Sequence, residues 1–172
     1  AGQAQRKFGF DVIPHVTTRD MSLAGLINEI ETTFALGGVT DFLIVTGDPH
    51  DANQNFPHTG VFEVDSIGAI KALNEHLKPR DIFSLAAAVN QNEPATEAER
   101  VKQKIHAGTD LFMSQTIFSV RQAEWAAEFC NKHSSRPVMI GIWPIVRRRT
   151  AEVIREGKVV GVVLDDETIT QA

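Results

Sequence analysis

Short apolar runs alternate with helical patterns along the whole chain, and this alternation restricts the fold more than any other feature. The predicted strands cover residues 11–17, 41–48, 82–89, 110–117 and 137–145, with a weaker sixth at 159–165. Strands that recur with intervening helices at a spacing of roughly thirty residues form a parallel sheet joined by right-handed crossovers. The sequence therefore predicts an α/β fold, with residues 1–172 in a single domain.

Polar residues mark the predicted helix starts. Ser22 precedes one helical pattern, and the pairs Thr96 with Glu99 and Ser119 with Gln122 have the spacing of a capping box. We expect these three hydroxyl residues to cap their helices.

Two parallel-sheet architectures fit this pattern. An open doubly wound sheet needs about five or six strands, which suits a chain of 172 residues. A closed (β/α)8 barrel typically needs about 250 residues, so the chain would lack about two or three of its units. Length alone favours the open sheet.

The residues at the ends of the predicted strands favour the barrel instead. They are His15 and 17–20 at the end of the first strand, 46–48 at the second, 90–92 at the third, Gln115 at the fourth and Trp143 at the fifth. Ligand contacts gather at one switch point in an open sheet, whereas every strand end borders the mouth of a barrel. This distribution predicts an incomplete TIM-type barrel of five or six parallel strands with outer helices.

The segment DFLIVTGDPHD, residues 41–51, is the clearest strand end. Its apolar run reads as a strand buried on both faces, and the run stops abruptly at Thr46, Gly47 and Asp48. Glycine at this position would let a flat ligand approach the backbone. Asp48 is the candidate for chemistry, although Gly-Asp-Pro is also an ordinary turn sequence.

Charge and composition limit the partners. A net charge of -5 gives no basic field for nucleic acid, and we interpret Arg147–Arg149 as the solvated first turn of a helix, with an anion contact as the alternative. No apolar run approaches the roughly 18 residues of a membrane span. The single cysteine, Cys130, excludes an internal disulfide and fits a reducing compartment, so we expect a cytoplasmic protein.

The histidines do not have the spacing of metal ligands. His15 follows Pro14 inside an apolar strand, where it is either a satisfied core group or a ligand contact. The other five lie in predicted loops or helices, so no metal site is expected. These five are His50, His58, His76, His106 and His133.

Six motifs occur in sequence at or near the predicted strand ends. In chain order they are PHVTTRDMS, VTGDPHD, TGVFEVDSIGAI, AAAVNQN, KIHAGTDLFMSQTIF and PVMIGIWPI. This series resembles the methylenetetrahydrofolate reductase family, most closely the bacterial branch often fused to a homocysteine methyltransferase domain. The resemblance implies a flavin-containing barrel that reduces 5,10-methylenetetrahydrofolate to 5-methyltetrahydrofolate with NADH or NADPH, in one-carbon and methionine metabolism.

The resemblance also assigns roles to residues. Asp48 would be catalytic, beside the pyrimidine side of the flavin and within reach of the folate pterin. Gln115 would contact the pterin as well, and Lys104 would lie near the phosphate or adenine end of the cofactor. The expected contacts to FAD are His15, Thr46, Gly47, Asp48, His58, Thr59, Asn90 and Lys104.

The chain lacks segments of the barrel that the family pattern contains. The general acid of the family is a glutamate on the first barrel strand, in a segment upstream of residue 1, and the last strand is missing too. We therefore expect a partial barrel domain that forms homo-oligomers or associates with segments that supply the missing strands. One alternative is a non-catalytic or accessory family member that binds flavin or folate. Another is an open-sheet enzyme that uses Asp48 beside a phosphate or metal.

Overall fold

The computed structural model describes residues 1–47, 60–77, 83–159 and 161–164. Helices and strands alternate through these residues. The elements are α1 (Gly2–Phe8), β1 (His15–Thr17), α2 (Leu23–Gly37), β2 (Asp41–Val45), α3 (Ser66–Leu77), β3 (Ser84–Val89), α4 (Pro94–Ala107), β4 (Leu111–Ser114), α5 (Val120–His133), β5 (Val138–Met139) and α6 (Arg148–Arg155). None of the helices in these ranges is both long and apolar enough to cross a bilayer.

The strands form one parallel sheet in sequential order. The order is β1-β2-β3-β4-β5, and the register pairs Val16 with Ile44, Leu43 with Ala86 and Phe112 with Val138. A doubly wound sheet reverses its strand order at a switch point, and the five described strands have no such reversal. The predicted α/β fold of the (β/α)8-barrel type is confirmed, and the open-sheet alternative is not supported.

The predicted strands are longer than the observed ones: β2 ends at Val45, β3 begins at Ser84 and β4 covers only Leu111–Ser114. Three further strand predictions need correction. β1 begins at His15 rather than residue 11, since Pro14 has no N–H to donate to the ladder. β5 contains only residues 138–139, although a bridge between Ile117 and Ile142 continues the pairing. The weak sixth strand is not found in residues 161–164, because Gly161 lies in a turn at a φ of 71°, outside the range of a strand.

The helix caps follow the sequence at two of three positions. The Ser22 and Ser119 hydroxyls accept hydrogen bonds from the backbone N–H three residues later, as predicted. The prediction for Thr96 is wrong, because α4 begins two residues earlier at Pro94 and the Thr96 hydroxyl donates to the Glu93 carbonyl at 3.2 Å. Proline is favoured at the first helical position, where its missing N–H is not needed.

The residues group into two compact units. Unit 1 contains Ala1–Ala87 and His106–Asp110, and its core includes Ile30, Phe42, Ile44, Ile70 and Leu73, all fully buried. Within this unit α1 and α2 cross closely, since a Cβ on Gly2 would lie under 3.0 Å from the Gly37 backbone. Glycine at both positions permits this backbone contact.

Unit 2 contains Ala88–Ile105 and Leu111–Ala172. Its apolar core brings β3 and β4 residues together with α4 and α5, through Val89, Val101, Phe112 and Phe129. Cys130 is buried in the same core, as the sequence indicated. α6 follows at Arg148, and Arg147–Arg149 lie exposed at its start as predicted.

Candidate functional site

The carboxyl ends of β1 and β2 are tied together at Thr46 in unit 1. Its carbonyl accepts hydrogen bonds from the Thr17 hydroxyl at 3.1 Å, the Thr18 hydroxyl at 3.4 Å and the Arg19 N–H at 3.1 Å. Its hydroxyl donates to the Ser66 hydroxyl at 3.2 Å and accepts from the Ser66 N–H at 3.0 Å. Thr46 therefore joins two strand ends to the first turn of α3.

Gly47 continues this strand end in a left-handed turn. Its φ is 85°, a conformation that L side chains rarely adopt, and a Cβ at this position would lie under 3.0 Å from the Thr17 hydroxyl. Both the turn and the close packing of Thr17 therefore require glycine. The missing side chain of Gly47 thus makes room for Thr17 and Arg19 rather than for a ligand.

Three predicted site residues lie outside the described ranges. They are Asp48, His58 and Thr59, which belong to the stretch 48–59. Their predicted roles at the flavin and the pterin stay predictions.

His15 lies at the first rung of β1, not at its carboxyl end. It pairs with Leu43, and its side chain is exposed. Alternate residues of a strand share one face, so His15 lies on the same face as Thr17, about 7 Å before it along the strand. The structure thus places His15 on the face that leads to Thr46 and Gly47, in unit 1.

In unit 2, Gln91 holds the backbone that follows β4. Its side-chain amide donates to the Gln115 carbonyl at 3.2 Å and accepts from the Gln115 N–H at 3.1 Å. The Gln91 side chain is 1% exposed, so this two-bond exchange takes place away from water. The Gln115 side-chain oxygen in turn accepts from the Thr116 N–H at 2.8 Å, which orients the Gln115 amide.

The amides of Asn90 and Gln115 meet beside Gly161. A Cβ on Gly161 would lie 3.0 Å from Gln115 Nε2 and 3.1 Å from Asn90 Nδ2. Asn92 fixes this segment, because its side-chain amide donates to the Gly161 carbonyl at 3.0 Å. Asn90 also donates to Glu93 Oε1 at 3.1 Å. Two predicted site residues of unit 2, one assigned to cofactor and one to folate, are thus neighbours.

Lys104 occupies a buried position on α4, beneath the end of β3. Its ammonium donates to the Ala88 carbonyl at 2.7 Å and forms an ion pair with Glu97. Lys104 is 5% exposed and Glu97 is 6% exposed, while Arg100 Nε lies 3.8 Å from Glu97 Oε2. The pair holds β3 two residues before Asn90. The predicted contact between Lys104 and the cofactor stays a prediction.

Cys130 is not set up as a nucleophile. Burial raises the pKa of its thiol, and the nearby charge of Glu97 raises it further. Since the thiolate is the reactive form, this environment keeps the side chain inert. Within the described ranges, no group of three or more His, Cys, Asp and Glu side chains is arranged to hold a metal ion.

Three residues that organise these strand ends were not assigned to the site from sequence. Gln91 was visible in VNQN, but nothing there separates it from the neighbouring amides. Ser66 had a weak signal as a hydroxyl residue at a helix start. Gly161 had none, because its contacts join segments about seventy residues apart along the chain.

Comparison with known proteins gives a consistent picture. A family model described as Methylenetetrahydrofolate reductase matches residues 1–169. Methylenetetrahydrofolate reductase 2 of Saccharomyces cerevisiae is 25% identical over 154 residues, which covers 83% of this chain and 25% of that protein. The chain therefore spans about a quarter of the length of this curated relative.

A solved structure of different sequence has a similar fold. The trigonal crystal form of 2,3-dimethylmalate lyase, a member of the PEP mutase/isocitrate lyase superfamily, superposes with a TM-score of 0.56 at 15% identity. The alignment covers 91% of this chain and 54% of that chain. This likeness concerns the fold alone.

Proposed function

The chain belongs to the methylenetetrahydrofolate reductase family, and we propose that it serves the flavin-dependent reduction of 5,10-methylenetetrahydrofolate to 5-methyltetrahydrofolate by NADH or NADPH. The observation that carries this proposal is the family match over residues 1–169, which includes every strand end described above. The single cysteine and the absence of a basic field are compatible with a cytoplasmic enzyme of small-molecule metabolism.

We assign the flavin ring of FAD to the strand ends of unit 1. A flavin edge needs neutral hydrogen-bonding groups and room for a flat ring. His15 offers an exposed imidazole, and the left-handed turn at Gly47 offers backbone N–H and C=O groups at the strand end, so these residues fit the group. Thr46 positions the turn, and His58 and Thr59 complete the assignment from sequence. When bound, the flavin would supply the hydride-transfer chemistry.

Asp48 is the residue to which we assign the catalytic role. It directly follows Gly47 in the sequence, so it belongs to the same strand end. A carboxylate beside the pyrimidine side of a flavin disfavours added negative charge there and lowers the reduction potential. The same carboxylate would stabilise positive charge that develops on the pterin.

In unit 2 we assign Gln115 to the folate pterin and Asn90 to the cofactor. A side-chain amide both donates and accepts, which matches the amide edge of a pterin. Gln91 fixes the backbone of Gln115, and Thr116 orients its side chain, so the amide is preorganised. Lys104 is 5% exposed and its ammonium binds the Ala88 carbonyl and Glu97, so a contact with a cofactor phosphate would require the side chain to leave this buried position.

The test separates the two half-reactions. Under anaerobic conditions, a protein that combines these residues with the segments expected to supply the missing strands and the general acid is loaded with FAD. It is mixed with NADH or NADPH, and then with 5,10-methylenetetrahydrofolate, while flavin absorbance and 5-methyltetrahydrofolate are followed. We expect bleaching by the nicotinamide and recovery with product. Asp48→Asn should slow the folate step by roughly 30- to 1000-fold and leave bleaching nearly unchanged, the scale for loss of one preorganised charge.

Other outcomes decide between the alternatives. Bleaching and folate binding without product would identify a non-catalytic or accessory member of the family. Equal slowing of both steps in Asp48→Asn, with an unchanged reduction potential, would make Asp48 a structural turn residue. Absence of any flavin-dependent signal in the wild-type protein completed with the missing segments would contradict the proposal.

A further inference from the structure

Asp20 has a backbone conformation that is unusual for its residue type. Among the described residues it is the only non-glycine with a positive φ, at 59°. Asp and Asn tolerate this left-handed region better than other side chains, but glycine adopts it most easily. Asp20 lies three residues after β1, beside the strand end of unit 1. The proposed function gives it no role.

The Asp20 conformation lets one residue bind both backbone groups of Val61. The Asp20 N–H donates to the Val61 carbonyl at 2.8 Å, and Asp20 Oδ1 accepts from the Val61 N–H at 2.9 Å. A single residue thus satisfies the donor and the acceptor of another that is 41 positions away. We call these two hydrogen bonds the Asp20–Val61 clamp.

Neighbouring contacts continue the clamp toward the starts of α2 and α3. Met21 and Phe62 form a parallel bridge, and the Leu23 N–H donates to Glu63 Oε2 at 3.1 Å. Residues 61–63 therefore run beside residues 20–23, just past the end of β1. Three residues after Glu63, Ser66 binds the hydroxyl of Thr46.

The clamp closes a ring of contacts around the strand ends. From Asp20 the chain leads back through Arg19 and Thr17, which both bind the Thr46 carbonyl. From Val61 it leads forward to Ser66, which binds the Thr46 hydroxyl. Thr46 is therefore held from both sides, and the clamp joins the two sides at their far end.

We infer that Asp20 is a positioning residue that fixes the entry to α3 and, through Thr46 and Gly47, the backbone to which the flavin is assigned. This inference rests on the proposed function. It predicts that loss of the side-chain oxygen that accepts from the Val61 N–H weakens flavin binding more than it weakens the fold, because the clamp supports one exposed turn and contributes little to the apolar core.

Three substitutions distinguish the effect of the Asp20 backbone conformation from the effect of its side-chain acceptor. Asp20→Gly keeps the left-handed conformation and removes the acceptor for the Val61 N–H. Asp20→Asn keeps both the conformational tolerance and an oxygen acceptor, and like Asp20→Gly it removes the ion pair between Asp20 Oδ2 and Arg19 Nε at 3.6 Å. Asp11→Gly, at an exposed acidic residue of the same unit, is the matched control.

Two measurements test the inference. The affinity for FAD is taken from flavin fluorescence, and amide hydrogen exchange is measured at Val61 and Ser66 by NMR, both on the full 172-residue chain. For Asp20→Gly we expect FAD affinity to fall by about tenfold and Val61 exchange to quicken by a similar factor, the scale of one lost hydrogen bond to a charged group. Asp20→Asn and Asp11→Gly should stay within about twofold of wild type, which is below that scale.

Each remaining outcome is decisive. Unchanged FAD affinity in Asp20→Gly would overturn the positioning role, and so would a loss that merely follows a drop in the unfolding temperature. An unprotected Val61 amide in the wild-type chain would show that the clamp does not exist in solution. A wild-type chain that never binds FAD would refute the flavin assignment itself. This result differs from failure of the clamp, in which the wild-type chain binds FAD and Asp20→Gly binds it equally well.

Discussion

At the scale of single residues, glycine and threonine explain the strand end after β2. Gly47 adopts a positive φ, and the hydroxyl of Thr17 occupies the space that a Cβ would need. The Thr46 carbonyl and hydroxyl bind partners from two other segments. This turn is therefore determined by packing as well as by local backbone preference.

Gly47→Ala should destabilise the fold by about 2 to 4 kcal/mol, because a left-handed alanine is strained and its Cβ would overlap Thr17. Gly157→Ala is the matched control, since Gly157 also has a positive φ but nothing within 4 Å of the added Cβ. The control should cost only about 1 to 2 kcal/mol. Urea unfolding of both variants measures the difference, and equal losses would show that the Thr17 contact is unimportant.

The Cys130 thiol predicts a pH dependence of stability. Its pKa is raised in the folded chain, so the unfolded chain loses this proton at lower pH. The stabilising contribution is therefore complete below the unfolded thiol pKa, about 8.5, and is lost as the pH rises from there through the folded pKa. Urea midpoints from pH 7.5 to about 10 should fall less steeply in Cys130→Ala than in wild type. The same dependence of the urea midpoint on pH in both proteins would contradict this prediction.

At the scale of elements, the periodic pattern predicted the type and order of the helices and strands, but some of their ends were not predictable. Ser22 and Ser119 are local caps, and local chemistry sufficed for them. The N-terminus of α4 depends on Pro94, and Gly161 lies in a turn where apolar residues suggested a strand. Gly47 was predictable from an abrupt strand end, whereas Gln91 acts through a contact with Gln115 that sequence spacing does not reveal.

The ion pair between α4 and β3 gives a prediction at this scale. Lys104→Met leaves the buried Glu97 with only the more distant Arg100, at 3.8 Å, so we expect a loss of about 3 kcal/mol, the lower end for breaking a buried pair. The double variant Lys104→Met with Glu97→Gln removes both charges and should recover most of that loss. Urea unfolding of the single and double variants measures the coupling. Additive losses would show that the two side chains do not stabilise each other.

At the scale of the whole molecule, the fold and the family are in agreement, and the domain count is still a prediction. The sequential parallel sheet has the topology of the family's barrel type, and the family match extends over both compact units. The sequence predicted a single domain, whereas the contacts group residues 1–87 and 106–110 apart from the rest. Because both units contain residues of β3, we expect them to unfold together.

Cooperative unfolding can be followed with two probes. Far-ultraviolet circular dichroism reports all helices, and tryptophan fluorescence reports Trp125 and Trp143, which both belong to unit 2. We expect coincident urea transitions, as in a two-state domain. Separate midpoints would show two domains. Sedimentation velocity of the same samples would test the expected self-association.

Titration of the chain with FAD tests the central claim most directly, that these strand ends belong to a flavin-binding reductase. Visible absorbance and flavin fluorescence are followed for wild type, Gly47→Ala and Gly157→Ala, under conditions where all three are folded. The account predicts saturable binding of one FAD per chain, weakened in Gly47→Ala and unchanged in Gly157→Ala. No saturable binding by the wild-type chain, or equal affinity in all three proteins, would contradict it.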